Sequence, residues 1–136
     1  MMRTMSHDQT VAFVETYLGA LANGDIERAL SMFAPDAVQE ELPNRLYEHG
    51  QRRDLAALRS SAEKGKDLLL RQSYRVTNVI VNGDDVAAEV EWSGDLKVGF
   101  GRVAAGSTLR ARMAMFLRLR DGKIVSQRNY DCYDAF

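Results

Sequence analysis

Three stretches in the second half of the chain switch between apolar and polar residues with a period of two. That pattern fits a strand with one buried face and rules out a helix. In "DVAAEVEWSGDL", Val86, Ala88, Val90 and Trp92 share one face while Glu89 and Glu91 take the other. In "STLRARMAMFLRLR", Leu109, Ala111, Met113, Met115 and Leu117 oppose Arg110, Arg112 and Arg118. "LLLRQSYRVTNVIVNG" alternates in its second half, with Val76, Asn78 and Ile80 against Thr77, Val79 and Val81. "NGDD" and "DGK" (121–123) are tight-turn signals between such runs, and "IVSQRNYDCYDAF" supplies a last strand. The order predicts a long antiparallel meander. Arg110 and Arg112 are expected to face Glu89 and Glu91 as charge pairs on its outer surface. The glycine-bearing "SGDLKVGFGRVAAGS" reads as a long loop or as a bulged continuation of two strands.

The first half has a different period. Val11, Val14, Leu18 and Leu21 recur at helical spacing, with Ser6 or Asp8 as the cap and "NGD" as the stop. Asp25 caps a second short helix, "IERALSMFA", expected to end before Pro35. "DAVQEEL" has strand character, Arg45 to Gln51 is irregular, and "RDLAALRSSAEKG" reads as a third helix ending at Gly65. Helices followed by a meander make an α+β protein, with the helices on one face of a curved sheet. A length of 136 residues fits one domain, 1–136, with one substantial core.

Composition narrows the function classes. A formal net charge of −1 argues against nucleic acid or an anionic membrane as the main partner. No apolar run approaches a bilayer span, and "MMRTMSHDQT" lacks a signal-peptide core, so a cytoplasmic location is expected. Met1, Met2 and Met5 are alternative starts. The single cysteine, Cys132, cannot form an internal disulfide and reads as a small buried hydrophobe. His49 and His7 lie far apart, with His7 in an expected frayed end, so no metal-ligand spacing exists. "GFGRVAAG" lacks the spacing and context of a phosphate loop, and no nucleophile elbow occurs. No metal and no cofactor are implied.

"YLGALANGDIERALSMFAPDAV", "HGQRRDLAAL" and "RDGKIVSQRNYDCYDAF" together resemble the nuclear transport factor 2-like superfamily. The closest resemblance is to its branch of ketosteroid isomerases and SnoaL-like polyketide cyclases. The likeness covers nearly the whole chain. It implies a cone-shaped barrel, a curved antiparallel sheet wrapped around helices, with a pocket in the open end. It also implies a homodimer formed through the outer sheet face. The fold hosts enzymes, binding proteins and interaction modules alike.

The isomerase pattern can be carried over position by position. Its tyrosine lies eight residues before the "GD" aspartate, which is Tyr17 here relative to Asp25. Its carboxylate base lies nine residues before the glycine opening the third helix, which is Glu41 relative to Gly50; a slip of one selects Glu40. Its oxyanion-binding acid falls on Met115, or on Ala114, and neither donates a hydrogen bond. The steroid isomerase reaction is therefore not expected. The pocket face of the last strand corresponds to Gln127, Asn129 and Asp131, with Tyr133 next in phase; Trp92, Met113 and Met115 are expected as lining.

The resemblance thus implies a pocket for a small apolar or aromatic molecule. One reading is an isomerase, cyclase or dehydratase in which Tyr17 donates to a carbonyl oxygen and Glu41 or Asp131 moves the proton. The other is a non-catalytic ligand-binding or interaction module. In either case Arg45 is expected to reach back to Glu40 or Glu41.

Overall fold

A computed structural model describes residues 5–136; the alternative starts Met1 and Met2 lie outside the described residues. The elements run α1 (His7–Ala22), α2 (Ile26–Ser31), β1 (Phe33–Glu41), β2 (Gln51–Arg53), α3 (Leu55–Leu68), β3 (Leu69–Asn82), β4 (Asp85–Leu96), β5 (Thr108–Arg120) and β6 (Lys123–Tyr133). The strands form one curved, unclosed sheet in the order β2-β1-β6-β5-β4-β3. Three helices cover its inner face. This is the α+β cone architecture expected from the sequence.

Local chemistry accounts for the helix ends. Ser6, not Asp8, caps α1: its side chain accepts from the Gln9 amide, and the Gln9 side chain accepts from the Ser6 amide. His7 is therefore the first residue of an ordered helix rather than part of a frayed end. Asp25 and Asp54 cap α2 and α3 by accepting from the Arg28 and Ala57 amides. α2 stops at Ser31, short of the expected Ala34, because Phe33 already pairs with Ile124 of β6 and the Met32 carbonyl accepts from the Ile124 amide. Pro35 then sits inside β1, where a register shift between Phe33 and Val38 spares the ladder the missing donor. α3 runs past Gly65 to Leu68 and passes directly into β3 without a turn.

In β4 and β5 the expected faces hold: Val86, Ala88, Val90, Trp92, Leu109, Ala111, Met113, Met115 and Leu117 are all buried. β3 departs from its expected phase. Thr77 has no partner between the pairs Val76–Val90 and Asn78–Glu89, so a bulge moves every later residue to the other face. Val76, Val79 and Val81 turn inward, while Ile80 is 60% exposed. The outer charge pairs are also redistributed. Arg112 does lie opposite Glu91, but Arg110 lies opposite Ser93. Glu91 pairs with Arg75 and Glu89 accepts from Asn78, because β3 offers nearer partners on that face. Cys132 is exposed, since it points outward between the inward-facing Asp131 and Tyr133.

β2 was not anticipated from the sequence, and it matters most for the site. It returns antiparallel along β1, and β6 runs parallel on β1's other side. Gly50 makes the return possible. It adopts φ +71°, and a Cβ there would fall 2.6 Å from the Glu41 carbonyl oxygen. Gly50→Ala combines left-handed strain with that clash, so a loss of about 1–3 kcal/mol is expected. The check is the urea midpoint at unchanged m-value. Among the described residues, no helix is long and apolar enough to cross a membrane.

Candidate active site

The strand pairing sets inward-facing polar residues in rows. Gln39 lies opposite Arg53 on one side and Gln127 on the other; Glu41 lies opposite Asn129, which lies opposite Met115. Asp131 follows two residues after Asn129, on the same face of β6 and opposite Met113. These groups meet at one side of a cavity of about 350 Å³. Tyr17, Glu41, Asp131, Trp92, Met113, Met115, Gln127, Asn129 and Tyr133 all line it. The remaining wall carries many aliphatic side chains, Leu18, Leu58, Leu69 and Leu109 among them, together with Ser61, Lys64 and Lys66 from α3. Its volume lies within the range of small-molecule sites, roughly 300–1,000 Å³.

A directional hydrogen-bond chain crosses the cavity floor. The Tyr17 hydroxyl donates to Gln127 Oε1 at 2.9 Å, and Gln127 Nε2 donates to Asn129 Oδ1 at 2.9 Å. Tyr17 is fully enclosed, and burial pushes its hydroxyl well above the usual phenol range, so it stays protonated. Its one proton is already engaged, which leaves the Asn129 amide as the chain's terminal donor. In Tyr17→Phe, Gln127 Oε1 would be stranded in a buried site, at an expected cost of about 1–3 kcal/mol. Thermal unfolding of the folded variant checks this.

Glu41 is held on both oxygens. Arg53 donates to Oε1 at 3.1 Å and Asn44 donates to Oε2 at 2.8 Å. Arg53 also donates to Gln39 Oε1 at 2.9 Å, and its guanidinium stacks on the Tyr47 ring 5.2 Å from the centroid. The pair is well buried, with side-chain exposures of 8% for Arg53 and 12% for Glu41. The expected partner, Arg45, does not take part. It lies over the Phe136 ring and donates to the Phe136 carbonyl, because the turn at Asn44 carries it away from β1.

Asp131 is the less restrained carboxyl. Its Oδ1 is buried and has no hydrogen-bond partner among the described residues. Burial pushes its pKa from 3.8 up to about 7, and the neighbouring Glu41 charge adds to the rise. Arg53 and a hydrogen bond from Asn129 pull the other way. Asp131 can thus hold or release a proton near neutral pH, which a general acid–base group needs. Tyr133 beside it is raised well above the phenol range by burial and then by the Asp131 charge.

A second polar group sits across the cavity. Trp92 Nε1 and the Tyr74 hydroxyl both donate to Gln72 Oε1, at 2.9 and 3.2 Å, and Gln72 Nε2 donates to the Leu21 carbonyl. This satisfies the aromatic polar atoms and leaves Trp92's ring as apolar wall. Arg53, Asn44 and Gln72 were not among the residues expected from the sequence. The one available signal for Arg53 was Asp54: once Asp54 is read as the helix cap, the preceding arginine falls outside the helix.

The SnoaL-like domain family matches residues 14–127 of this chain. No curated protein matches its sequence. Among solved structures, a candidate polyketide cyclase from Xanthomonas campestris pv. campestris is 26% identical with a TM-score of 0.74, over 93% of this chain and 91% of that one. IdmH of Streptomyces antibioticus, a candidate polyketide cyclase, is 23% identical with a TM-score of 0.76, over 90% and 91%. AclR of Streptomyces galilaeus, a candidate hydroxylase, shares the fold at 18% identity and a TM-score of 0.77, over 93% and 80%.

Proposed function

This chain belongs to the SnoaL-like domain family, and from that premise we propose that its cavity performs cofactor-independent proton transfer on a small apolar or aromatic carbonyl compound, as an isomerase, cyclase or dehydratase does. The observation that carries this reading is Asp131: a carboxyl with one unpartnered buried oxygen, poised to titrate near pH 7, on the wall of an otherwise largely apolar cavity. A carbon next to a carbonyl is weakly acidic, and abstracting its proton needs a base of raised pKa in a dry site. Asp131 fills that role. Glu41, engaged by two donors, sustains the local negative potential and does not itself take the proton. The Tyr17–Gln127–Asn129 chain holds Asn129 beside Asp131. The candidate cyclases among the structural relatives fit the same class of chemistry.

The test follows the hydrogen itself. A panel of ketones and aromatic dicarbonyl compounds is incubated with the protein in D₂O, and α-hydrogen exchange is read by NMR. Exchange of at least one compound is expected. If compounds bind, by thermal shift, yet none exchanges above background, the pocket is a binding site alone.

The outer sheet face supports a partner proposal. Ile80, Phe116 and Tyr130 are exposed there, with the Phe116 and Tyr130 rings in an edge-to-face pair. We propose that a second copy of the chain covers them. Light scattering should give twice the 15.2 kDa chain mass, and Phe116→Glu should return it to the single-chain value; an unchanged monomer mass in the wild type contradicts this.

A further inference from the structure

The position where the isomerase pattern has its oxyanion-binding acid corresponds to Met115 or Ala114, and neither side chain can donate. Proton abstraction next to a carbonyl places negative charge on its oxygen, and an apolar cavity without a donor would penalise that charge. We propose that Arg53 is the oxyanion-binding catalytic residue, presenting its Nε and Nη2 edge to the carbonyl oxygen of the substrate. This inference rests on the proton-transfer reading above.

Three observations carry it. First, Arg53 is one of the residues lining the cavity, and its side chain is only 8% exposed. Second, only Nη1 is engaged, by Gln39 and Glu41; among the described residues Nε and Nη2 have no hydrogen-bond partner. Those two nitrogens form a planar donor edge suited to one oxyanion or to two coplanar oxygens. Third, the group is fixed before any substrate arrives: Nη1 is anchored at both acceptors and the plane is stacked on Tyr47. Donors already in place cost no reorganisation when charge develops.

The charge balance suits the step. Asp131, as the carboxylate, takes the α-proton; the C–H pair becomes the new C=C bond, and the carbonyl π pair moves to oxygen. One negative charge leaves Asp131 and one appears on the enolate oxygen beside Arg53, so the site's total charge is unchanged. The proton returns from Asp131 to carbon as the enolate collapses. Before the step, Arg53 already attracts Asp131, and Glu41 neutralises part of its charge. The step moves one negative charge from Asp131 to the enolate oxygen and adds none beside Glu41.

The test separates oxyanion binding from turnover. 4-Nitrophenol serves as the probe, because its phenolate absorbs visible light and its neutral form does not. Its binding is titrated across pH with the wild type, Arg53→Lys, and Asp131→Asn. The lysine variant keeps a positive charge beside Glu41 and removes the planar edge; circular dichroism confirms its fold. The wild type is expected to bind phenolate in preference to phenol. Arg53→Lys should weaken phenolate binding by at least about tenfold and leave phenol binding unchanged. Asp131→Asn should retain the preference. Equal phenolate affinity in wild type and folded Arg53→Lys overturns the proposal, as does a wild type with no phenolate preference. Nothing turns over in this experiment, so its failure leaves the deuterium-exchange result to stand or fall separately.

Discussion

Replacing Asp131 by asparagine is expected to reduce proton-transfer turnover by about 10²–10⁴-fold while ligand binding persists. The substitution is nearly isosteric, so it removes the titrating group without reshaping the cavity wall. Binding persists because the aliphatic wall and the Tyr17–Gln127–Asn129 chain are untouched. The same substitution has a signed effect on stability. In the folded chain Asp131 keeps its proton up to about pH 7, whereas the ordinary value is 3.8. Between those values the folded state binds more protons than the unfolded state, so stability falls as pH rises through that window and is flat above it. Asp131→Asn removes this slope. Above pH 7 the variant should therefore be more stable than the wild type, by on the order of 2 kcal/mol after allowing for solvent screening of a half-buried group. A variant both inactive and stabilised separates a functional burden from a folding role. Denaturant titrations at acid and at mildly alkaline pH measure the second half.

Arg53→Met is expected to cost about 3–5 kcal/mol, because it leaves the Glu41 charge buried beside β6 without its main partner. Gln39 Oε1 also loses its donor. Methionine retains most of the stem's packing, so the loss is chiefly electrostatic. The double variant Glu41→Gln with Arg53→Met should recover much of the stability, since neither charge then remains. The cycle of wild type, two singles and the double, read from urea midpoints, isolates the coupling. An additive cycle contradicts the importance of the pair. The singles also act on Asp131 in opposite senses. Removing Arg53 takes away an attraction and raises its pKa further; neutralising Glu41 removes a repulsion and lowers it.

Where the sequence was readable and where it was not follows from the range of each interaction. Period-two patterning placed the inner faces of β4 and β5, because alternation is a property of the strand itself. The family resemblance assigned Gln127, Asn129, Asp131 and Tyr133 to the pocket face of β6, and all four line the cavity. β3 failed at one point: a single extra residue at Thr77 inverts the phase, and no local signal marks a bulge formed against a partner strand. β2 is three residues long, too short for any period, and its strand character comes from pairing with β1. For the same reason Arg53 went unread while Arg45, nearer in sequence, was expected to approach Glu41. Proximity along the chain favoured Arg45; the turn at Gly50 brought Arg53 back across the strand instead. Cys132 followed composition in the expectation and strand phase in the fold.

The central claim is that Asp131 is the titrating carboxyl of this cavity. A carbon-13 NMR titration of its carboxyl carbon, assigned by comparison with Asp131→Asn, tests that without any substrate. The expected midpoint lies near the raised value of about 7 and moves downward in Glu41→Gln. A midpoint at the ordinary 3.8 would contradict it.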